Sequence, residues 1–103
     1  NIDVNWIVPN RFKHGYGLSA KIVEQINQGL IITVDNGISA IEASILCKNK
    51  NLDLIITDHH TVGNIVPDCF AIINPKQKEC KFPYKEICGA QVAWYFCASI
   101  KKE

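Results

Sequence analysis

The sequence predicts an α/β fold, an open and mostly parallel sheet flanked by helices. Three observations carry this. Leu30 to Asp35 and Leu52 to Asp58 are apolar runs of strand length without alternation, the pattern of strands covered on both faces. The stretch between them carries a helical pattern with its own start and stop signals, so strand and helix alternate. Both runs also end in aspartate, at corresponding ends of consecutive strands.

Val4 to Val8 is short and β-rich, and Pro9 stops it, so it reads as a first strand. Asn10 to Gly17 is a loop. Ser19 is placed to cap a helix over about residues 20–28, with Ile22, Val23 and Ile26 on one face and Gly29 ending it. After the strand ending at Asp35 and the Asn36-Gly37 turn, Ser39 with Glu42 three residues later forms a capping box. Ile38 and Ile45 flank that start as a hydrophobic staple, and Ile41 and Ile45 share the buried face. Asn49-Lys50-Asn51 ends this helix, and Phe70 to Asn74 is a further strand. Residues 75–88 form a polar, aromatic and basic loop before a last helix over about 89–100, with Val92, Tyr95, Phe96 and Ser99–Ile100 along one side.

A chain of 103 residues holds one small domain with one core, and 48% apolar content with 20% charged residues opposes wholesale disorder. With a formal charge of +1, any nucleic-acid surface must be local. No apolar run approaches the roughly 20 residues of a membrane span. The start lacks an initiator Met and a signal-peptide core, and it reads as a cut from a longer polypeptide. The five cysteines, Cys47, Cys69, Cys80, Cys88 and Cys97, form no CxxC pair. They read as reduced, partly buried thiols of a cytoplasmic protein.

In open parallel sheets, ligand crevices lie beyond the carboxyl ends of the strands. Asp35 and Asp58 therefore reach one crevice edge, with His59 and His60 following directly. An aspartate ending a strand is also a common turn former or cap, and for Asp35 alone that reading stands. Taken together, the four residues point to a metal site. Carboxylate oxygens with imidazole nitrogen suit Mn²⁺, Mg²⁺ or Zn²⁺.

TVDNGIS followed by IITDHH resembles the second and third motifs of the DHH phosphoesterase superfamily. The flanks IVPNRFKHGYGL and INPKQKECKFPYKEICGAQVAWYF are similar to those of RecJ-type 5′→3′ single-stranded-DNA exonucleases, and the resemblance covers essentially the whole chain. It implies a Rossmann-like domain and two divalent ions, Mn²⁺ or Mg²⁺, held by four motifs. Asp35 matches the second-motif metal ligand and His59 the metal-binding histidine. His60 matches the neighbour expected near the scissile phosphate, and Asp58 a residue that orients the histidines, so these two are the catalytic candidates. The first motif would precede Asn1 and the fourth would follow Glu103, which makes residues 1–103 one partial domain. Asp3 and Asp53 are no substitutes, because one opens a strand and the other sits at the wrong strand end. Gln91 stands where the family more often has a small residue.

The activity implied is two-metal phosphodiester hydrolysis of single-stranded DNA in repair and recombination, with the isolated segment inactive for want of ligands. Two other readings stand beside it. One is a DHH phosphoesterase acting on short oligonucleotides, cyclic dinucleotides or pyrophosphate. The other is a non-catalytic DHH-like domain that binds nucleic acid or acts as a scaffold. Arg11 and Lys13 are candidates for phosphate contact and Tyr16 for base stacking, although the same loop also reads as an ordinary solvated connection. Residues 76–85 interleave four lysines with Phe82 and Tyr84, where pinning the loop to the core is favoured over strand binding. His14 reads as a surface residue, and Cys80 with Cys88 lacks the second pair a zinc site needs. A truncated sheet also exposes edges and apolar faces, so self-association is expected.

Overall fold

Three parallel strands form the centre of the computed structural model, which describes residues 2–102. Asn1 and Glu103, the ends of the expected 1–103 domain, lie outside the described residues. The element order is α1 (Ala20–Glu24), β1 (Leu30–Val34), α2 (Ile41–Asn49), β2 (Asp53–Thr57), β3 (Ala71–Ile73) and α3 (Gly89–Lys102). The sheet order is β1-β2-β3. Leu30 pairs with Asp53 through to Val34 with Thr57, and Ile55 pairs with Ala71 through to Thr57 with Ile73. This is the α/β architecture expected from the sequence.

The apolar runs become strands because each finds a parallel neighbour and a cover. In the central strand β2, Leu54, Ile55, Ile56 and Thr57 are all buried, as non-alternating runs require. Leu54 and Ile56 join Val23 of α1, Ala43 and Cys47 of α2, and Leu52 in one core. Strand alternation turns Ile55 to the other face, and α3 packs on β1 and β2 with Val92 buried. Cover on both faces is incomplete at the edge strand: Leu30, Ile32 and Val34 of β1 stay about half exposed.

The expected strand Val4 to Val8 does not form. Residues 2–10 carry no regular structure, and Ile2, Val4, Trp6 and Val8 are exposed. A strand's hydrogen bonds belong to its neighbour, and these residues lie beside none, so β-propensity alone has nothing to pair with.

The two serines placed before helices behave differently. Ser19 caps α1, its Oγ accepting from the Ile22 N–H at 3.4 Å. The helix stops at Glu24, short of residue 28, where Lys50 Nζ donates to the Val23 and Glu24 carbonyls at 2.9 and 3.0 Å. Ser39 is not a cap. The Ala40 N–H donates to the Gly37 carbonyl at 2.9 Å, and this turn delays α2 to Ile41 and leaves Ala40 at the N-cap without a side-chain bond. The staple fails with it, since Ile38 is buried and Ile45 is exposed. The face that α2 buries is the small one, Ala43, Ser44 and Cys47. The last helix follows its expected start but exposes Tyr95 and Ile100, leaving Val92 as its buried anchor.

Candidate metal centre

The parallel pairing runs one residue past the strands and so sets both aspartates. The Asp35 N–H donates to the Thr57 carbonyl at 3.0 Å, and the Asp58 N–H donates to the Ile73 carbonyl at 3.0 Å. The two carboxylates thus leave adjacent strands at the same carboxyl edge of the sheet. Thr57 Oγ1 ties these strand ends together by donating to the Thr33 carbonyl at 2.6 Å.

Asp35 turns the chain sharply. Its φ is +65°, in the left-handed region that aspartate tolerates better than bulkier residues. The next turn is held by Thr33 Oγ1 donating to the Asn36 carbonyl at 2.7 Å, with Gly37 at φ +111°. A Cβ on Gly37 would lie 2.9 Å from Thr33 Oγ1, so space and backbone both call for glycine there. The Asp35 side chain remains 58% exposed, with Oδ1 2.9 Å from His59 Nε2.

Asp58 is the opposite case, only 1% exposed and saturated with hydrogen bonds. Its Oδ2 accepts from the Ile38 N–H at 3.0 Å. Its Oδ1 accepts from the His59 N–H at 2.8 Å and the His60 N–H at 3.4 Å, and it lies 2.6 Å from His60 Nδ1. Burial pushes the carboxyl's pKa up, but the Ile38 N–H, the His60 ring and the His59 and His60 N–H groups outweigh it. The net effect holds Asp58 below its ordinary range, as a buried anion. A carboxylate only accepts, so a neutral His60 carries its proton on Nδ1 and leaves Nε2 outward with a lone pair. The two imidazoles lie 4.5 Å apart at 50°.

Asp35, Asp58, His59 and His60 each offer a ligand atom within 4.8 Å of the others, the one such group among the described residues. The donor set of carboxylate oxygen and imidazole nitrogen fits a divalent cation of the Mn²⁺, Mg²⁺ or Zn²⁺ kind. Cys80 and Cys88 join no such group.

Arg11 and Tyr16 also meet, the guanidinium carbon lying 4.9 Å from the ring centroid. Their loop is folded on Asn10, whose Oδ1 accepts from the Phe12 and Lys13 N–H groups at 2.9 and 3.3 Å. The loop reaches the metal-centre edge through Leu18, whose N–H donates to Asn36 Oδ1 at 3.0 Å. Arg11, Lys13 and Tyr16 are all exposed. In residues 76–85, Phe82 packs edge-on against Tyr95 at 5.3 Å and Lys85 Nζ donates to the Cys80 carbonyl at 2.6 Å, so both serve the loop.

Asn74 was not expected at the site. It is buried, and its Nδ2 donates to the His60 carbonyl at 2.9 Å, which ties the histidine turn to the end of β3. The Asn-Pro pair ending that strand was its only local signal.

Comparison with known proteins agrees with this geometry. The single-stranded-DNA-specific exonuclease RecJ of Salmonella typhimurium is 42% identical over 102 residues, which is 96% of this chain and 18% of the relative. The Bacillus subtilis protein of the same name is 45% identical over 94 residues, 88% of this chain and 12% of its own length. The chain therefore spans less than a fifth of these relatives. A solved structure described as exonuclease RecJ bound to manganese superposes with a TM-score of 0.70 at 28% identity, covering 85% of this chain and 23% of that one. The N-terminal domain of the DHH family matches residues 1–103, and the chain belongs to the DHH family.

Proposed function

We propose that the polypeptide carrying this sequence is a divalent-metal-dependent 5′→3′ single-stranded-DNA exonuclease of DNA repair and recombination, using Mn²⁺ or Mg²⁺. The carrying observation is the cluster of Asp35, His59 and His60 around the buried Asp58 anion at the carboxyl ends of two adjacent parallel strands. The names of the relatives supply the substrate class.

Asp35 Oδ1 and His59 Nε2 are the metal ligands, already aimed at each other. Divalent ions held by Asp35 and His59 would supply Lewis acidity and lower the pKa of a water, so that its deprotonated form is available as the nucleophile. Asp58 holds His60 through Nδ1, so that Nε2 faces the phosphodiester as acceptor or, when protonated, as donor. Asp58 is an orienting residue, because its two oxygens are already engaged by hydrogen bonds. Arg11 and Lys13 meet the phosphate backbone, and Tyr16, braced by Arg11, offers a face for base stacking.

On this reading the isolated 103 residues, which cover 18% and 12% of the two relatives, need further ligands from elsewhere in the polypeptide for nuclease activity. Self-association of that isolated segment belongs to the same reading, supported by the exposed face of β1. No helix among the described residues is long and apolar enough to cross a membrane. A cytoplasmic location is supported by the five free thiols.

The test is hydrolysis of 5′-phosphorylated single-stranded DNA by the native polypeptide and its His59→Ala variant, with and without Mn²⁺. Activity that needs Mn²⁺ and falls at least about 100-fold in the variant is the expected result, on the scale of losing a group that acts in the transition state. Equal activity in both proteins removes His59 from the site. Turnover of dinucleotides but not longer strands would favour the small-substrate DHH reading.

A further inference from the structure

Gly89 opens α3 and is buried, and its backbone lies against the Asp35 side chain. A Cβ at this position would sit 2.3 Å from Asp35 Oδ1 and 2.5 Å from both its Cβ and its Cγ. No neighbour tolerates such distances without moving, and here even the near end of the aspartate side chain is in the way. The usual reason for glycine does not apply. The residue is not among the positive-φ glycines, so its backbone suits alanine, and at the start of a helix alanine is the better former. What the position requires is space.

Asp35 is tethered elsewhere as well. Its N–H is held by the Thr57 carbonyl, its backbone is in the left-handed region, and His59 Nε2 stands 2.9 Å from Oδ1. With its backbone tethered, Oδ1 and Cγ can turn away by rotation about Cα–Cβ but Cβ cannot, so a methyl group at position 89 also displaces the Asp35 backbone or the start of α3. Half of the Asp35 side-chain surface faces solvent, so it has somewhere to go. Either movement carries Oδ1 away from His59 Nε2.

We propose that Gly89 is a positioning residue for the metal centre: its missing side chain makes the seat that keeps the Asp35 carboxylate aimed at His59 Nε2. This rests on the metal-binding reading given above. It assigns a role to the end of the CKFPYKEICG segment, which is 54 residues from Asp35 in sequence and in contact with it in the fold.

The test measures Mn²⁺ binding to the native polypeptide by the loss of the free-ion electron paramagnetic resonance signal, with thermal unfolding in parallel. The proteins are wild type, Asp35→Ala, Gly89→Ala and Ala90→Ser, the last being an exposed neighbour in the same helix turn. The expected result is Mn²⁺ affinity reduced about 10- to 100-fold in Gly89→Ala. Its melting temperature should fall but stay above the assay temperature, and Ala90→Ser should bind normally. Wild-type affinity in Gly89→Ala, with Asp35→Ala impaired, overturns the inference and leaves the metal reading standing. If wild type does not bind, or Asp35→Ala binds as well as wild type, the metal reading fails and the inference falls with it. Should Gly89→Ala not fold, Asp35→Gly with Gly89→Ala removes the three nearest clashing atoms, Oδ1, Cβ and Cγ of Asp35. Recovery of folding then supports the contact, and continued failure overturns it.

Discussion

Asp58 carries more of the cluster's geometry than Asp35, His59 or His60. One buried carboxylate fixes the Ile38 N–H, the histidine turn and the His60 ring together. Asp58→Ala leaves the buried Ile38 N–H without its acceptor, at a cost of about 1–3 kcal/mol. Urea denaturation at pH 7 should show that loss. The sign of its pH dependence follows from the depressed pKa. The stability is fully present above the unfolded carboxyl pKa, about 4, and is lost as the pH falls through the lower folded value. The gap between wild type and Asp58→Ala should therefore narrow in acid; a gap that widened below pH 4 would contradict the hydrogen-bonded anion. At this scale the sequence was informative about residue type and weak about role. Asp35, Asp58, His59 and His60 stood out because they close consecutive strands. Asn74 and Gly89 did not, since each acts on a residue at least 14 positions away that only the fold brings near.

The same division holds for elements. The strands of residues 30–34, 53–57 and 71–73 were legible because apolar runs end in abrupt polar turns, and each of these strands has a parallel neighbour to pair with. Val4 to Val8 has the pattern without the neighbour, and pairing is a property of two segments. The two serines show the limit of cap signals. Ser19 bonds the Ile22 N–H, whereas the turn from Gly37 to Ala40 pushes the α2 start past Ser39. Ser19→Ala should cost about 0.5–2 kcal/mol of unfolding free energy and Ser39→Ala less than about 0.5 kcal/mol. Equal losses in chemical denaturation would contradict the observed caps. Burial pushes the Cys47 and Cys69 thiols up in pKa, while Cys88 and Cys97 are exposed. Alkylation near pH 8, followed by peptide mass mapping, should modify Cys88 and Cys97 well before Cys47.

The described molecule is about as compact as its length predicts, with a radius of gyration of 13.5 Å against about 13 Å for 100 residues, yet residues 2–8 leave their apolar side chains exposed. The edge strand β1 adds Leu30, Ile32 and Val34 to that surface. The isolated segment should therefore self-associate in light scattering as concentration rises, and Ile32→Lys should reduce this by charging the edge. Strictly monomeric behaviour of the unmodified segment across that range would contradict the reading of this face. Whether Asp35 and His59 hold a divalent ion is decided on the native polypeptide. The most direct measurement is electron spin-echo modulation of Mn²⁺ bound to the native protein. The expected result is a nitrogen coupling from imidazole that is lost in His59→Ala and that depends on Asp35 for ion binding; an undiminished coupling in His59→Ala, or none in the wild type, would contradict it.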